Sequence, residues 1–453
     1  MSMLSIPLFD GYPLYIGIES MDIKRDFYLN KLIARKHDTY VKVITGIRRC
    51  GKSYLLNTLF KKHLRESGVG ERQIIEIALD NVAWAELRDP RRLYEYIARR
   101  VKPRTRQYYA LIDEIQMCAE VPDGIQGSKG TLTFYDTLNG LMKLPNLDVY
   151  VTGSNSKMLS NDVATHFRDR GKIIRLHPLS FSEFLPVSGM DEFQAWEEYL
   201  VYGGMPEAVL LKDKAERGEY LSGLFNTLYF KDIVERHRLR DEFLLGFLVD
   251  ILMSGVGSLT NVNRIAETLK STQKLQPDPH TLASYLSYLI QAYLFNKAER
   301  YDVKGRKYLS YPSKYYAEDI GLRNARLNYR QSERTHLMEN VIYNELVARG
   351  AKVDVGVVEI ENRRGGIREK HPHEIDFVVN LGMGKLYIQS ALTLPDKEKR
   401  DQETLPLRKI RDSFRKLVVT GDAQPFYTDN DGISYVGIIP FLLDKSIFSN
   451  LMD

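Results

Sequence analysis

Residues 40–53 read Tyr-Val-Lys-Val-Ile-Thr-Gly-Ile-Arg-Arg-Cys-Gly-Lys-Ser, and the fold is decided there. Val41, Val43 and Ile44 predict a buried parallel strand. Gly46-Ile47-Arg48-Arg49-Cys50-Gly51-Lys52-Ser53 then fits G-x-x-x-x-G-K-[ST], the phosphate-binding loop. Tyr54, Leu55, Leu56, Leu59 and Phe60 continue it as an apolar-rich helix. Gly46 and Gly51 let the backbone curl with its N–H groups inward, where a side chain would block phosphates. The helix N-terminus adds partial positive charge. Gly46 through Tyr54 is therefore the expected cradle for ATP. Lys52 is expected at the β- and γ-phosphates, and the Ser53 hydroxyl on Mg²⁺.

The other half of such a site lies further along. Tyr108-Tyr109-Ala110-Leu111-Ile112-Asp113-Glu114 is a hydrophobic strand ending in two carboxylates. Asp113 is expected to hold Mg²⁺ through water, and Glu114 to polarise the attacking water as general base. An extra strand fits between this one and the first. Asp148-Val149-Tyr150-Val151-Thr152-Gly153-Ser154-Asn155-Ser156 reads as a further parallel strand that breaks into polar residues where ligands bind in such sheets. Thr152, Ser154 or Asn155 is expected to sense the γ-phosphate or the water. Arg168 or Arg170, just before a strand at Ile173–Leu176, is placed to act on a neighbour's γ-phosphate, which requires a homo-oligomer.

At 453 residues the chain should hold about three domains. Its 43% hydrophobic and 27% charged residues are globular in balance. No run of 18 apolar residues appears, which argues against a membrane span. The N-terminus has no basic stretch followed by an apolar core, so no signal peptide is expected. Two cysteines, Cys50 and Cys118, suit a reducing, cytoplasmic setting without structural disulfides. Both lie inside nucleotide-site motifs, where a redox switch is conceivable, but two tolerated small residues is the simpler reading. A net charge of +5 permits nucleic-acid binding without indicating it. No internal repeat or low-complexity segment is present.

Four strings carry a family. Gly46 to Ser53, Asp113-Glu114, Thr152-Gly153-Ser154-Asn155-Ser156 and His177-Pro178-Leu179-Ser180-Phe181-Ser182-Glu183-Phe184 resemble the prokaryotic AAA-type ATPases with a C-terminal domain of unknown function. Tyr202-Gly203-Gly204-Met205-Pro206-Glu207-Ala208 and Tyr229-Phe230-Lys231-Asp232-Ile233-Val234-Glu235-Arg236 look like two further hallmarks of that family. The resemblance implies an α/β chain opening on a P-loop AAA+ core, a three-layer arrangement around a parallel sheet, over residues 1–190. It implies a helical lid over 191–240 and a winged-helix segment over 241–310. The last unit, 311–453, would be an α/β domain similar to the restriction-endonuclease-like nucleases.

The remaining stretches have their own physical reading. A basic amphipathic helix near Ile23 to Lys36 should pack on the sheet. Ile74–Leu79 predicts a strand and Arg91–Arg100 a helix. Ser182 is expected to cap a helix with Glu183 in its first turn. Gly203-Gly204 then Pro206 marks a helix stop and restart. Phe243, Leu244, Phe247, Leu248 and Leu252 have helical spacing. A second helix follows Ser258-Leu259-Thr260, and a third starts at Asp278-Pro279. In a DNA-binding winged helix the third would enter the major groove. Its outer face offers His280, Ser284, Ser287, Tyr288 and Gln291, with no Arg or Lys. The wing, Arg300 to Lys307, is basic enough to contact phosphate. DNA and a protein partner therefore both stay open.

In the nuclease superfamily an Asp on one strand and Glu-x-Lys on the next serve Mg²⁺ and the attacking water. Asp376 stands in place, but the second motif here is Gln389-Ser390-Ala391. Gln389 is a neutral, weaker ligand and Ala391 has no amine. This favours a domain that binds or assembles without cleaving. An Arg-rich helix is expected near Arg408, Lys409, Arg411, Arg415 and Lys416.

Overall fold

A computed structural model of the chain describes residues 23–102, 106–124, 130–154, 171–364, 367–382 and 384–452. Five strands, β1 (Val41–Thr45), β2 (Ile74–Ala78), β3 (Tyr108–Asp113), β6 (Leu147–Gly153) and β7 (Gly171–Arg175), form one sheet in the order β2-β3-β6-β1-β7. The short strands β4 (Val121–Pro122) and β5 (Thr131–Leu132) pair with each other beside it. All neighbours in the five-stranded sheet are parallel. The expected extra strand is β6, which lies between the phosphate-loop strand and the Asp113 strand.

Parallel strands are buried on both faces, and side-chain alternation divides the core accordingly. Val41, Val43, Ala110, Ile112, Val149 and Val151 enter one apolar cluster with the helices Pro90–Arg100 and Phe134–Leu141. Ile44, Tyr109, Leu111 and Tyr150 enter the other, with the helix Asp26–Ile33 and the segment after the phosphate loop. That segment is π-wound over Tyr54–Phe60 and α-helical over Lys61–Glu66.

The second apolar cluster does not stop at the first sheet. It runs through a helical segment that includes Glu192–Tyr202, Lys231–His237, Glu242–Ser254, Val262–Gln273 and Pro279–Gln291. It ends on the second sheet, of eight strands. Those are β8 (Phe295–Asp302), β9 (Lys307–Ala317), β10 (Lys352–Arg364), β11 (Ile367–Leu381), β12 (Gly384–Ala391), β13 (Arg415–Thr420), β14 (Tyr427–Thr428) and β15 (Ile433–Gly437). Their order is β14-β15-β13-β12-β11-β10-β8-β9, with both parallel and antiparallel pairs. The β8–β9 hairpin, read from sequence as a wing, is thus an edge of this sheet, and residue 310 falls within β9.

Three local expectations are corrected. The cap of helix Phe181–Ser188 is Ser180, not Ser182: Ser180 and Glu183 form a capping box, with the Glu183 carboxylate accepting from Ser180 N at 3.0 Å. The expected Arg-rich helix is not continuous. A helix covers Lys397–Arg408, but Arg415 and Lys416 open β13, because Leu417, Val418 and Val419 are buried on both faces of the sheet. Phe243 is 81% exposed and leaves the apolar stripe of its helix.

Candidate functional site

The site is assembled at the carboxyl ends of β1, β3 and β6. Register places Ile44 opposite Thr152 and Ile112 opposite Val151, so the polar ends of the strands come level. From Thr45 the chain enters the loop through Gly46 (φ 144°), turns at Arg49 (φ 63°) and again at Gly51 (φ 97°). A Cβ on Gly46 would lie 2.1 Å from the Leu176 carbonyl oxygen, so glycine is obligatory there. The buried Lys52 ammonium reaches back across the curl and donates to the carbonyls of Gly46 (3.2 Å) and Ile47 (3.0 Å).

Asp113 closes β3 facing this loop. The hydroxyls of Ser53 and Thr152 both hydrogen-bond to its carboxylate, and the Thr152 oxygen also accepts from Glu114 N at 2.9 Å. Burial pushes the Asp113 carboxyl up, against the pull of these hydroxyls. Glu114 follows in a left-handed conformation (φ 52°), which turns it out of the strand. Its carboxylate accepts from the Gln116 amide, and that amide also donates to Ser154 Oγ at 3.1 Å. Thr152 is therefore bonded to the Asp113 carboxylate, and Ser154 to the Gln116 amide that also holds Glu114. Asn155, Arg168 and Arg170 lie outside the described residues.

Sequence reasoning missed two groups here. One is Gln116, whose signal was only its spacing from Glu114. The other is Arg25, read only as one cation of the basic amphipathic helix near Ile23 to Lys36. Its guanidinium is buried, donates to the carbonyls of His177 (2.6 Å) and Cys50 (3.5 Å), and pairs with Glu183 at 3.1 Å. It thereby ties the phosphate loop to the segment after β7. Burial disfavours the thiolate at both cysteines: it pushes Cys50 up, and Cys118 up to about 12.

The hallmark strings make the junction around this site. Tyr229 OH donates to the Arg48 carbonyl at 2.7 Å, and Arg48 pairs with Asp232. Gly203 ends the helix Glu192–Tyr202, and Pro206 opens Pro206–Leu210 as its first residue. Gly204 N donates to Asp319 at 2.7 Å, and Leu179 N donates to Gly204 O at 2.7 Å. Beside them Glu318 accepts from Arg175 (2.5 Å), Asn296 (2.6 Å) and His177 (2.8 Å). Burial alone would raise the Glu318 carboxyl, but Arg175 and His177 outweigh it and hold it at about 2. The end of β7 is thus locked to the edge of the second sheet.

In the C-terminal unit a bulge places Asp376 and Phe377 opposite a single residue, Val355. Lys314 on β9 meets Glu339 (2.8 Å), Glu374 (2.6 Å) and Asp376 (3.7 Å). Gln389 Nε2 reaches Glu403 at 3.5 Å, and Ala391 packs in a different apolar cluster with Tyr387. The first two carboxylates and the lysine were not singled out from sequence, since they come from β9, a helix and β11.

The fold and the loop define an AAA-type P-loop nucleotide-binding core. Residues 38–185 match the family model described as an AAA domain, and residues 193–333 match one described as a domain of unknown function. The chain is 31% identical over 428 residues to an uncharacterised protein of Haemophilus influenzae, covering 93% of this chain and 98% of that one. It belongs to this family of AAA-domain proteins with a C-terminal domain of unknown function. A relative in Methanocaldococcus jannaschii, also uncharacterised, is 26% identical over 94% of this chain and 92% of its own. Among solved structures, Cdc6p of Pyrobaculum aerophilum aligns over 70% of this chain and 96% of its own, at 13% identity and a TM-score of 0.28. Among the described residues no helix is long and apolar enough to cross a membrane.

Proposed function

We propose that the protein binds and hydrolyses ATP with Mg²⁺ at the loop 46–54 and the Asp113-Glu114 pair. The observation that carries this reading is the convergence of Lys52, Ser53, Asp113 and Glu114 from separate elements on one edge of the sheet. The donor set suits a hard cation, because the Ser53 hydroxyl and the Asp113 carboxylate are hydrogen-bonded neighbours. Ser53 would hold the metal directly and Asp113 through water. When bound, Mg²⁺ neutralises phosphate charge.

The chain's own residues supply the rest. Inward N–H groups of Gly46 to Ser53 bind phosphate oxygens, and Lys52 exchanges the Gly46 and Ile47 carbonyls for phosphate. Glu114 orients a water and takes its proton, while Gln116 sets the carboxylate's direction. Turnover then acts on the modules joined to the core through Arg48–Asp232 and Glu318.

DNA and protein are the two candidate partners for those modules. The helix Pro279–Gln291 favours protein. Its outer face has no Arg or Lys, and Tyr288 is stacked on His237 at 3.7 Å between ring centres. Nucleotide-gated binding of a protein partner is the corresponding second reading.

The test is ATP binding and phosphate release by the full chain, with and without duplex DNA over a salt series. Lys52→Ala should lose binding; Glu114→Gln should bind but not turn over. Unchanged turnover in Glu114→Gln removes the assigned base, and DNA-stimulated, salt-sensitive turnover would point to DNA instead.

A further inference from the structure

The nuclease-like resemblance implies a divalent cation beside Asp376, and the residues present do not fit one. Three carboxylate oxygens, from Glu339 on the helix Arg334–Ala348 and from Glu374 and Asp376 on β11, face a single point. That point holds the Lys314 ammonium. We infer that Lys314 is a resident cation that takes the place of a metal ion, so that the C-terminal centre is a closed ionic joint and not a nuclease site.

The surroundings agree in chemistry. Two neutral donors join the lysine there: Tyr316 OH donates to the same Glu339 Oε1 at 2.7 Å, and Ser390 N donates to Asp376 Oδ2 at 2.8 Å. Lys314, Glu339 and Asp376 are buried, and Glu374 alone of the three acids reaches solvent, at 33%. Access is closed on another side by the backbone at Gly257 (φ 74°), where a Cβ would stand 3.1 Å from Glu339 Oε1. Gly257 N also donates to the Tyr315 carbonyl at 3.2 Å. A divalent ion and an ammonium cannot share the point, since like charges at contact repel strongly in a buried setting. Gln389 brings no charge to compensate, and no amine stands at Ala391. The joint links β9 to β11 and to the helix that carries Glu339. It holds the edge hairpin against the body of the second sheet.

The prediction is a metal site gained by deleting a cation. Mn²⁺ is titrated into nucleotide-free full-length protein, and free Mn²⁺ is read by electron paramagnetic resonance. Wild type and Asp376→Asn should give the same isotherm, and neither should nick supercoiled plasmid. Lys314→Ala should gain a stoichiometric Mn²⁺ site and a Tm that rises with Mn²⁺. Both should vanish in Lys314→Ala/Asp376→Asn. A Mn²⁺ site in wild type that Asp376→Asn loses, or nicking that Asp376→Asn or Lys314→Ala abolishes, overturns the inference. So does folded Lys314→Ala without a gained site. The wild-type comparison with Asp376→Asn decides the matter even where Lys314→Ala does not fold.

Discussion

Arg48, within the phosphate-binding loop, is ion-paired at 3.1 Å with Asp232, on the helix that also carries Arg236. Asp232 holds both arginines, the second at 2.7 Å, so one carboxylate ties the loop's apex to the helical segment. The Tyr229 hydroxyl bonds the Arg48 carbonyl from the same side. On the proposed function, a phosphate arriving at the loop would compete with Asp232 for Arg48, and that exchange would couple nucleotide to the helical segment.

Asp232→Ala should therefore alter nucleotide affinity more than stability. Arg48 and Asp232 are partly exposed, so the pair is worth at most about 1 kcal/mol to the fold. Freed Arg48 should tighten ATP binding by about 2- to 5-fold, an energy of the same order. A double-mutant cycle with Arg48→Ala, read by ATP titration and thermal melting, checks this: the gain must disappear when Arg48 is absent.

Gln116→Ala should lower kcat by about 10-fold while leaving the ATP Kd unchanged, since it orients the general base without touching the loop. Steady-state turnover and equilibrium binding separate the two quantities. A change in Kd alone would show that Gln116 serves the loop instead.

Glu318 sets an acid limb of stability. Its carboxyl moves from an ordinary 4.5 to about 2 on folding. The ionised form therefore stabilises the native state in full above about pH 4.5, and the contribution is lost as pH falls towards 2. The shift corresponds to about 3 kcal/mol. Urea unfolding across pH 2–7 should show this limb, and Glu318→Gln should flatten it. Removing one member of the buried network should also cost about 3–5 kcal/mol at neutral pH.

Gly204→Ala should destabilise the junction severely. A Cβ there would lie 2.1 Å from the Leu179 carbonyl oxygen and 3.0 Å from the Leu179 nitrogen. A loss above about 3 kcal/mol is expected, since the clash is with the Leu179 backbone and not with a side chain that can swing away. Gly189→Ala is the contrast: its φ of 66° costs strain, but the space is open, so the loss should be about 1 kcal/mol. Thermal melts of the two variants compare them directly.

What was legible in the chain was local. The phosphate loop follows a buried strand within a dozen residues, and Asp113-Glu114 ends another, so short strings carried both halves of the site. The cap before Glu183 was placed at Ser182, equally suitable by residue type, although the S-x-x-E spacing of the capping box belongs to Ser180. Arg415 and Lys416 read as a helix because charge was weighed ahead of the apolar residues 417–419 that follow. Phe243 matched a helical period, yet the face it presents is uncovered.

By itself the sequence determined the parallel core, the loop and the acids that face it, because strand, turn and helix propensities act over neighbouring residues. Only the tertiary structure decided that Lys314 meets Glu339, Glu374 and Asp376, that Arg25 braces the loop, and that the hairpin at 295–317 belongs to the second sheet. Those contacts join residues far apart in the chain. Their energies depend on burial and on the charges gathered around each group, neither of which a linear string of residues expresses.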